Sequence, residues 1–219
     1  TAPGHKGRFV LANIHGVTTI IMQGRVHYYE GYPMDDVVMP VRLMVMMGAK
    51  NLLLTNACGG ANPDFNIGDL MVIRDHIAAL VPSPLLGKNI DQLGVRFPDM
   101  TQVYNEKLGD LVFKLGTKKG LPMREGVYCQ FSGPQYETPT EVKMAKILGA
   151  DAVGMSTTVE AIAARHMGME VTGVSLITNM AAGLSKTLLD EQEVIDAGEQ
   201  ASDYFIDLVL EFISKYKDA

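Results

Sequence analysis

The chain has 219 residues, enough for one large α/β domain to bury a core without disulfide or metal staples. Hydrophobic residues make up 47% and charged residues 20%, a globular composition that excludes a disordered chain. With 19 basic and 25 acidic residues the net charge is −6, the wrong balance for a nucleic-acid-binding face, though not for a local basic pocket that takes a small anion.

Cys58 and Cys129 form no CxxC pair, which speaks against a disulfide scaffold or a structural zinc site and for reduced thiols in the cytoplasm. No apolar run approaches the ~18 residues of a membrane span, so no membrane partner is expected. The stretch Val37 to Met47 is interrupted by Pro40 and Arg42. The chain opens at Thr1 with neither an initiator methionine nor a signal-peptide pattern.

Apolar runs of strand length alternate with segments of helical period, with no repeat or linker between them. Thr18–Gln23 reads as a strand. Val41–Met47, closed by Gly48, reads as a helix that tolerates Pro40 only in its first turn. Asn51–Thr55 and Asp69–Arg74 read as short strands, Thr101–Lys119 has helical spacing, and Gly126–Phe131 is a strand. Thr138-Pro139-Thr140-Glu141 is a capping box with Pro at the first helical position, predicting a helix over Pro139–Leu148. Asp151–Met155 is a short strand. Thr157 and Glu160 form a second capping box, opening a helix that ends near Gly168. Glu170–Thr178 is the longest strand. The last helix starts near Asp190, with Asp203, Asp207, Glu211 and Ser214 on one stripe and Phe205, Leu208, Val209, Phe212 and Ile213 opposite. This alternation predicts a single α/β domain over 1–219: a central mixed, mostly parallel β-sheet flanked by helices on both faces.

In such folds ligands bind beyond the carboxyl ends of the strands. After the first strand, Arg25 can pair with phosphate in bidentate fashion, with His27 and Tyr29 close by; a solvated loop accounts for the same residues. After the second, Ala57-Cys58-Gly59-Gly60 offers bare backbone N–H groups, or a plain turn. Ser156 stands just before a helix N-terminus, where orphan N–H groups favour anions, or is simply part of the cap. Asn179 ends the longest strand; its amide suits a heterocycle edge, or a turn. Tyr136 beside Glu137 could stack on and read a flat ligand, although a Glu near a helix start is favoured by the dipole in any case. Together these residues point to an enzyme or binder for an anion plus a flat polar ligand.

The segments MQGRVHYYEGYP, TNACGGANPDFNIGDLMVIRDHI, GPQYET, GADAVGMST and SLITN, in that order, resemble the trimeric purine nucleoside phosphorylases and their relatives the methylthioadenosine phosphorylases. The resemblance runs from PGHKG near the start to the final helix. It implies cleavage of purine ribonucleosides (inosine, guanosine and their deoxy forms) by phosphate, giving free base and ribose 1-phosphate. Phosphate is then a co-substrate, and no metal or organic cofactor is needed. By the same resemblance His5, Arg25, His27, Ala57 (through its backbone N–H) and Ser156 match the phosphate site. Tyr29 and Met155 match ribose contacts, and Tyr136, Glu137 and Asn179 match base contacts. Phe97 matches an aromatic that reaches into the neighbouring subunit's site of a homotrimer. His27, Glu137 and Asn179 carry the chemistry.

The chain departs from the family pattern in three places. The family's Gly-rich phosphate loop, with its Ser, lies upstream of the segment matching His5, so the chain is N-terminally short relative to the family. Glu191 stands nearest the position where members that prefer 6-oxopurines often have a His touching the 5′-hydroxyl. Tyr136 replaces the more familiar Phe. The missing loop motivates a rival expectation of an impaired or non-catalytic nucleoside-binding protein, and a phosphorylase for 5′-modified nucleosides such as methylthioadenosine is the other alternative.

Overall fold

The computed structural model describes residues 5–185 and 187–216. Its elements in chain order are β1 (Arg8–Ile14), β2 (Val17–Gln23), α1 (Met34–Met46), β3 (Asn51–Gly60), β4 (Leu70–Ile77) and α2 (Glu106–Lys118). They continue with β5 (Met123–Gln130), α3 (Pro139–Ile147), β6 (Ala152–Gly154), α4 (Thr158–His166), β7 (Glu170–Met180) and α5 (Glu191–Lys215). β1 and β2 form a hairpin of their own, and the other strands close into a barrel in the order β3-β6-β5-β4-β7.

The barrel is mixed and mostly parallel, as the strand–helix alternation predicts: β3–β7, β4–β5 and β5–β6 are parallel, while β3–β6 and β4–β7 are antiparallel. One core cluster joins Leu52, Leu54, Met71, Ile73, Tyr128 and Ile177 to Val41 and Met44 of α1 and Ala161 and Ala164 of α4. A second joins Leu70, Val72 and Val174 to Leu108 and Val112 of α2 and Leu208 and Phe212 of α5. Each fully buried side chain of this size contributes about 1.5–3 kcal/mol. On α5 the predicted polar stripe is the outer one, and Lys119 reaches across to Asp207 and Glu211 at 2.6 Å each.

Three expectations are corrected. The helix around Val41–Met47 begins at Met34, which puts Pro40 in its interior rather than its first turn. Burial of Val37, Val38, Val41 and Met44 explains this. Four such side chains outweigh the roughly 3 kcal/mol that an interior proline costs, and Asp35 and Asp36 suit the helix start. The helix expected from Thr101 begins at Glu106, because Tyr104 pairs with Val171 as an isolated bridge and Asn105 caps the helix by accepting the Leu108 N–H at 3.0 Å. The segment before Thr18, to which no element was assigned, is strand β1. It joins β2 through His15 and Gly16, with φ values of 50° and 79°, the turn conformation that matches strand twist in a tight hairpin.

Between β2 and β3 lies a cavity of about 710 Å³, bordered by Ile20, Met22, Met44, Leu52, Leu54 and Phe212, with Arg25 and Glu160 at its lining. Among the described residues no helix is long and apolar enough to cross a membrane.

Candidate active site

The barrel's strand directions gather the candidates around the second half of β3. β6 runs antiparallel to β3, pairing Gly59 with Val153 and Gly60 with Ala152, so the chain leaving β6 returns alongside β3. It brings Thr157 Oγ1 to within 2.9 Å of Asn56 Nδ2, which donates to it. β7 runs parallel to β3 with a register shift between Cys58 and Gly59, so that Thr178 is the extra residue and Asn179 sits opposite Gly59. Such a bulge re-aims a side chain. A Cβ on Gly59 would come within 3.3 Å of Asn179 Nδ2, so this glycine leaves room for the amide.

At the phosphate end, Gly24 has φ +95°, and a Cβ there would meet His5 at 2.7 Å. Only glycine lets the chain turn out of β2 under that ring. His5 Nδ1 lies 3.2 Å from Arg25 N and 3.1 Å from Arg25 O. The rings of His5, His27 and Tyr29 form one stack, with centroids 5.1 Å and then 4.7 Å apart. Arg25 spans the gap to β3: Nη1 donates to the Thr55 carbonyl at 2.9 Å and approaches Ser156 Oγ at 3.4 Å. Since N–H and C=O of one residue point to the same side of a strand and residues alternate, the Ala57 N–H faces the edge from which the Thr55 carbonyl meets Arg25. Arg25 and Ser156 thus meet beside that edge of β3, with His5 on the Arg25 backbone and His27 stacked on His5.

His27 is buried, and burial pushes its pKa below the ordinary value, against the opposing pull of Glu30. Glu30 Oε1 accepts the His27 backbone N–H and meets Nδ1, each at 2.9 Å. Burial alone would raise the Glu30 carboxyl; hydrogen bonding, in which His27 takes part, outweighs it and holds the carboxyl below its ordinary value. With Nδ1–H engaged by the carboxylate, Nε2 of the neutral His27 ring is left as an acceptor for a ligand hydroxyl, such as a protonated phosphate oxygen.

At the other end, a Cβ on Gly133 would meet Met155 Sδ at 2.5 Å and Tyr29 Cδ1 at 3.1 Å, so the loop after β5 closes on both predicted ribose contacts. That loop carries Tyr136 and Glu137. Glu137 is buried, and its Oε1 has no hydrogen-bond partner among the described residues. Burial raises its pKa, opposed by its own backbone N–H. Asn179 is buried too; its Oδ1 accepts from Thr178 Oγ1 at 3.1 Å, and Nδ2 spends one proton on the Met180 carbonyl at 3.2 Å, leaving the second proton free to donate. Tyr136 is 37% exposed and keeps a free face. Phe97 stands apart: it is 87% exposed, with the Arg96 guanidinium 5.3 Å from its ring centroid. Glu191 lies close enough to the Tyr29 and Tyr136 phenols for its charge to help burial raise both.

One expectation about the α4 N-terminus is corrected. Its N–H groups are not open to an anion, because side chains of this chain already hold them. Glu160 Oε2 accepts from Thr157 N at 3.0 Å, and Gln130 Oε1 accepts from Thr158 N at 2.9 Å and Val159 N at 3.3 Å. Ser156 therefore offers its hydroxyl rather than a helix dipole. The backbone here is strained: Thr157, β-branched and fully buried, has φ +86°, a conformation costing about 1–3 kcal/mol that persists only where its surroundings enforce it. Sequence reasoning missed Asn56, Gln130 and Glu30 and took Glu160 only as a cap. For Glu30 the signal was its spacing of three from His27; Gln130, a lone polar residue ending an apolar run, carried none that separates it from a surface residue. Among the described residues no group of three His, Cys, Asp or Glu side chains could hold a metal ion.

Comparison with known proteins places this geometry. The profile of the phosphorylase superfamily matches residues 1–214. Purine nucleoside phosphorylase 1 of Geobacillus stearothermophilus is 49% identical over 209 residues, covering 95% of this chain and 76% of that protein. The mouse purine nucleoside phosphorylase is 42% identical over 223 residues, covering 97% of this chain and 77% of its own length. The crystal structure of Schistosoma mansoni purine nucleoside phosphorylase in complex with inosine superposes with a TM-score of 0.93 at 35% identity, over 98% of this chain and 78% of that one. The chain belongs to the phosphorylase superfamily and, within it, to the purine nucleoside phosphorylases.

Proposed function

We propose that this chain splits 6-oxopurine ribonucleosides with phosphate, with the residues gathered around β3 in the following roles. Arg25, the Ser156 hydroxyl, the Ala57 N–H, His5 and His27 hold phosphate. One phosphate oxygen attacks C1′ of the sugar as the C1′–N9 bond breaks. The bonding pair leaves with the purine, which takes up a proton from solvent; the new C1′–O bond gives ribose 1-phosphate. The held anion stabilises the positive charge gathered on the sugar. Asn179, donating through Nδ2 to O6 or N7, stabilises the negative charge gathered on the base, the kind of preorganised donor that acts mainly in the transition state. Tyr29 and Met155 line the ribose, and Tyr136 stacks on the purine. Phosphate enters as a co-substrate, and no further cofactor takes part.

The observation that carries this reading is the orphaned, buried Glu137 oxygen, an acceptor without a donor among the described residues. An ionised carboxylate only accepts, so it suits the N1–H of hypoxanthine or guanine, and the 2-amino group of guanine, but not the bare N1 of adenine. Complexes with inosine, guanosine and hypoxanthine, and also with adenosine, have been described for the Schistosoma relative. Further parts of the reading are a single nucleoside phosphorylase domain over 1–219, a homotrimer and a cytoplasmic setting. The exposed Phe97, with no core to join, supports the trimer. The free buried thiols of Cys58 and Cys129 support the reducing compartment. A fall in nucleoside absorbance when inosine and phosphate are added together, and none without phosphate, is the expected assay result; equal loss in both would refute phosphorolysis.

A further inference from the structure

The buried carboxylate of Glu160 touches the phosphate site at two points without belonging to it. Oε2 accepts the Thr157 N–H at 3.0 Å, and the carboxylate lies 3.3 Å from Arg25 Nε. Thr157 Oγ1 in turn lies 3.1 Å from Ser156 Oγ, and Arg25 Nη1 lies 3.4 Å from that same hydroxyl. The ring Glu160–Arg25–Ser156–Thr157–Glu160 is therefore closed by contacts of 3.4 Å or less on every side, with Asn56 bracing it through Thr157.

A helix cap alone does not explain this arrangement. A capping glutamate serves its helix from the surface, whereas Glu160 is only 4% exposed. Burying a carboxylate is costly unless it is paired, and among the described residues its one ionic partner is Arg25, whose side chain is 16% exposed. The guanidinium is held on its Nε side by Glu160 and at Nη1 by the Thr55 carbonyl. Among the described residues Nη2 has no hydrogen-bond partner, which leaves one nitrogen of the fork for an anion. The same carboxylate helps enforce the positive φ of Thr157, the turn that sets the Ser156 hydroxyl beside Arg25.

We propose that Glu160 is a positioning residue for phosphate: it fixes the orientation of the Arg25 guanidinium and the Ser156 hydroxyl relative to each other, and acts on the anion only through them. The proposal rests on the reading of Arg25 and Ser156 as phosphate ligands. Glu160→Gln keeps the length and places an amide where the carboxylate met Arg25, so it cannot hold both Thr157 N–H and Arg25 through charged acceptors. Glu160→Asp retains the charge but shortens the reach to Arg25, and provides the test if the amide variant does not fold.

The experiment titrates inorganic phosphate into the parent, each Glu160 variant, Arg25→Ala and the double variant, by calorimetry. It also measures KM for phosphate and for inosine separately. The expected result is a phosphate affinity weakened about 10- to 100-fold, the usual effect of losing a partner that orients a ligating group. Inosine KM should stay within about twofold, and Glu160→Gln should have a smaller effect in the Arg25→Ala background, where only the route through Ser156 is left. Equal changes in both KM values, additive effects with Arg25→Ala, or unchanged phosphate affinity would overturn the proposal. Parent protein that binds no phosphate would overturn the underlying assignment and this proposal with it. Tight phosphate binding by the parent together with a silent Glu160 variant would overturn the proposal alone.

Discussion

The imidazole of His27 lies flat against the ring of Tyr29, with centroids 4.7 Å apart and planes 16° apart. One residue, Tyr28, thus separates the two rings in the chain, and in the proposed roles the stack sets the distance between the phosphate held by His27 and the sugar lined by Tyr29. Holding both reactants in such a geometry removes much of the entropic cost of their encounter. The Glu30 carboxylate at Nδ1 orients the imidazole that does this.

Arg25 is the only arginine that meets the Ser156 hydroxyl among the described residues. Arg25→Ala should cost about 2–4 kcal/mol of transition-state stabilisation, the scale seen on losing one preorganised donor. Steady-state kinetics with inosine and varied phosphate give the figure, and a parent-like kcat/KM would show that Arg25 is not a phosphate ligand.

Glu137 has a stability consequence of known sign. Burial raises its folded pKa above the ordinary 4.5. The stability it contributes is therefore fully present below about pH 4.5 and is lost as pH rises through the raised folded value; at neutral pH the ionised group is a burden in the ligand-free protein. Glu137→Gln should raise ligand-free stability by about 1 kcal/mol or more, seen as a higher thermal midpoint at pH 7, and should weaken hypoxanthine binding. A lower midpoint would mean that the carboxylate has an intramolecular partner.

His27 and His76 work in the opposite sense. Burial lowers both folded pKa values below 6.5. Above pH 6.5 both are neutral whether folded or not; as pH falls from there toward their folded values the unfolded chain takes up protons that the folded chain refuses, so stability declines. Denaturant midpoints should fall between pH 7 and 5.5, and His76→Asn should flatten part of that slope. A flat profile across this window would contradict the burial of these rings as neutral imidazoles.

In the proposed roles Asn179 sets the base preference together with Glu137. Asn179→Asp turns a donor into an acceptor, which suits the 6-amino group of adenine better than O6. Inosine turnover should drop and adenosine turnover should rise from its base level. If both fall by a similar factor, Asn179 merely shapes the end of β7.

Much of this was readable in the residues, and the failures have physical causes. Local chemistry is strong at the Thr138 and Thr157 capping boxes, and those helices stand within a residue or two of expectation; the apolar runs locate the strands but not their ends, since β3 runs on to Gly60, β4 to Ile77, and β5 starts at Met123. Pro40 misled because a local helix breaker was overridden by burial of a valine stripe that only tertiary packing reveals. β1 escaped because its residues are mostly exposed and its turn is His15-Gly16 rather than Asn-Gly. Barrel closure and the β7 bulge that aims Asn179 are register properties, invisible in a single strand. The Glu160–Arg25 pair joins residues far apart in sequence, and no local pattern announces it.

The central claim, that phosphate is the nucleophile, is tested most directly by phosphorus NMR of the protein incubated with inosine and inorganic phosphate. The account predicts a new phosphate-ester resonance, that of ribose 1-phosphate, growing in equal measure with free hypoxanthine while inorganic phosphate declines. Hypoxanthine appearing alongside free ribose, with the phosphate signal unchanged, would contradict it.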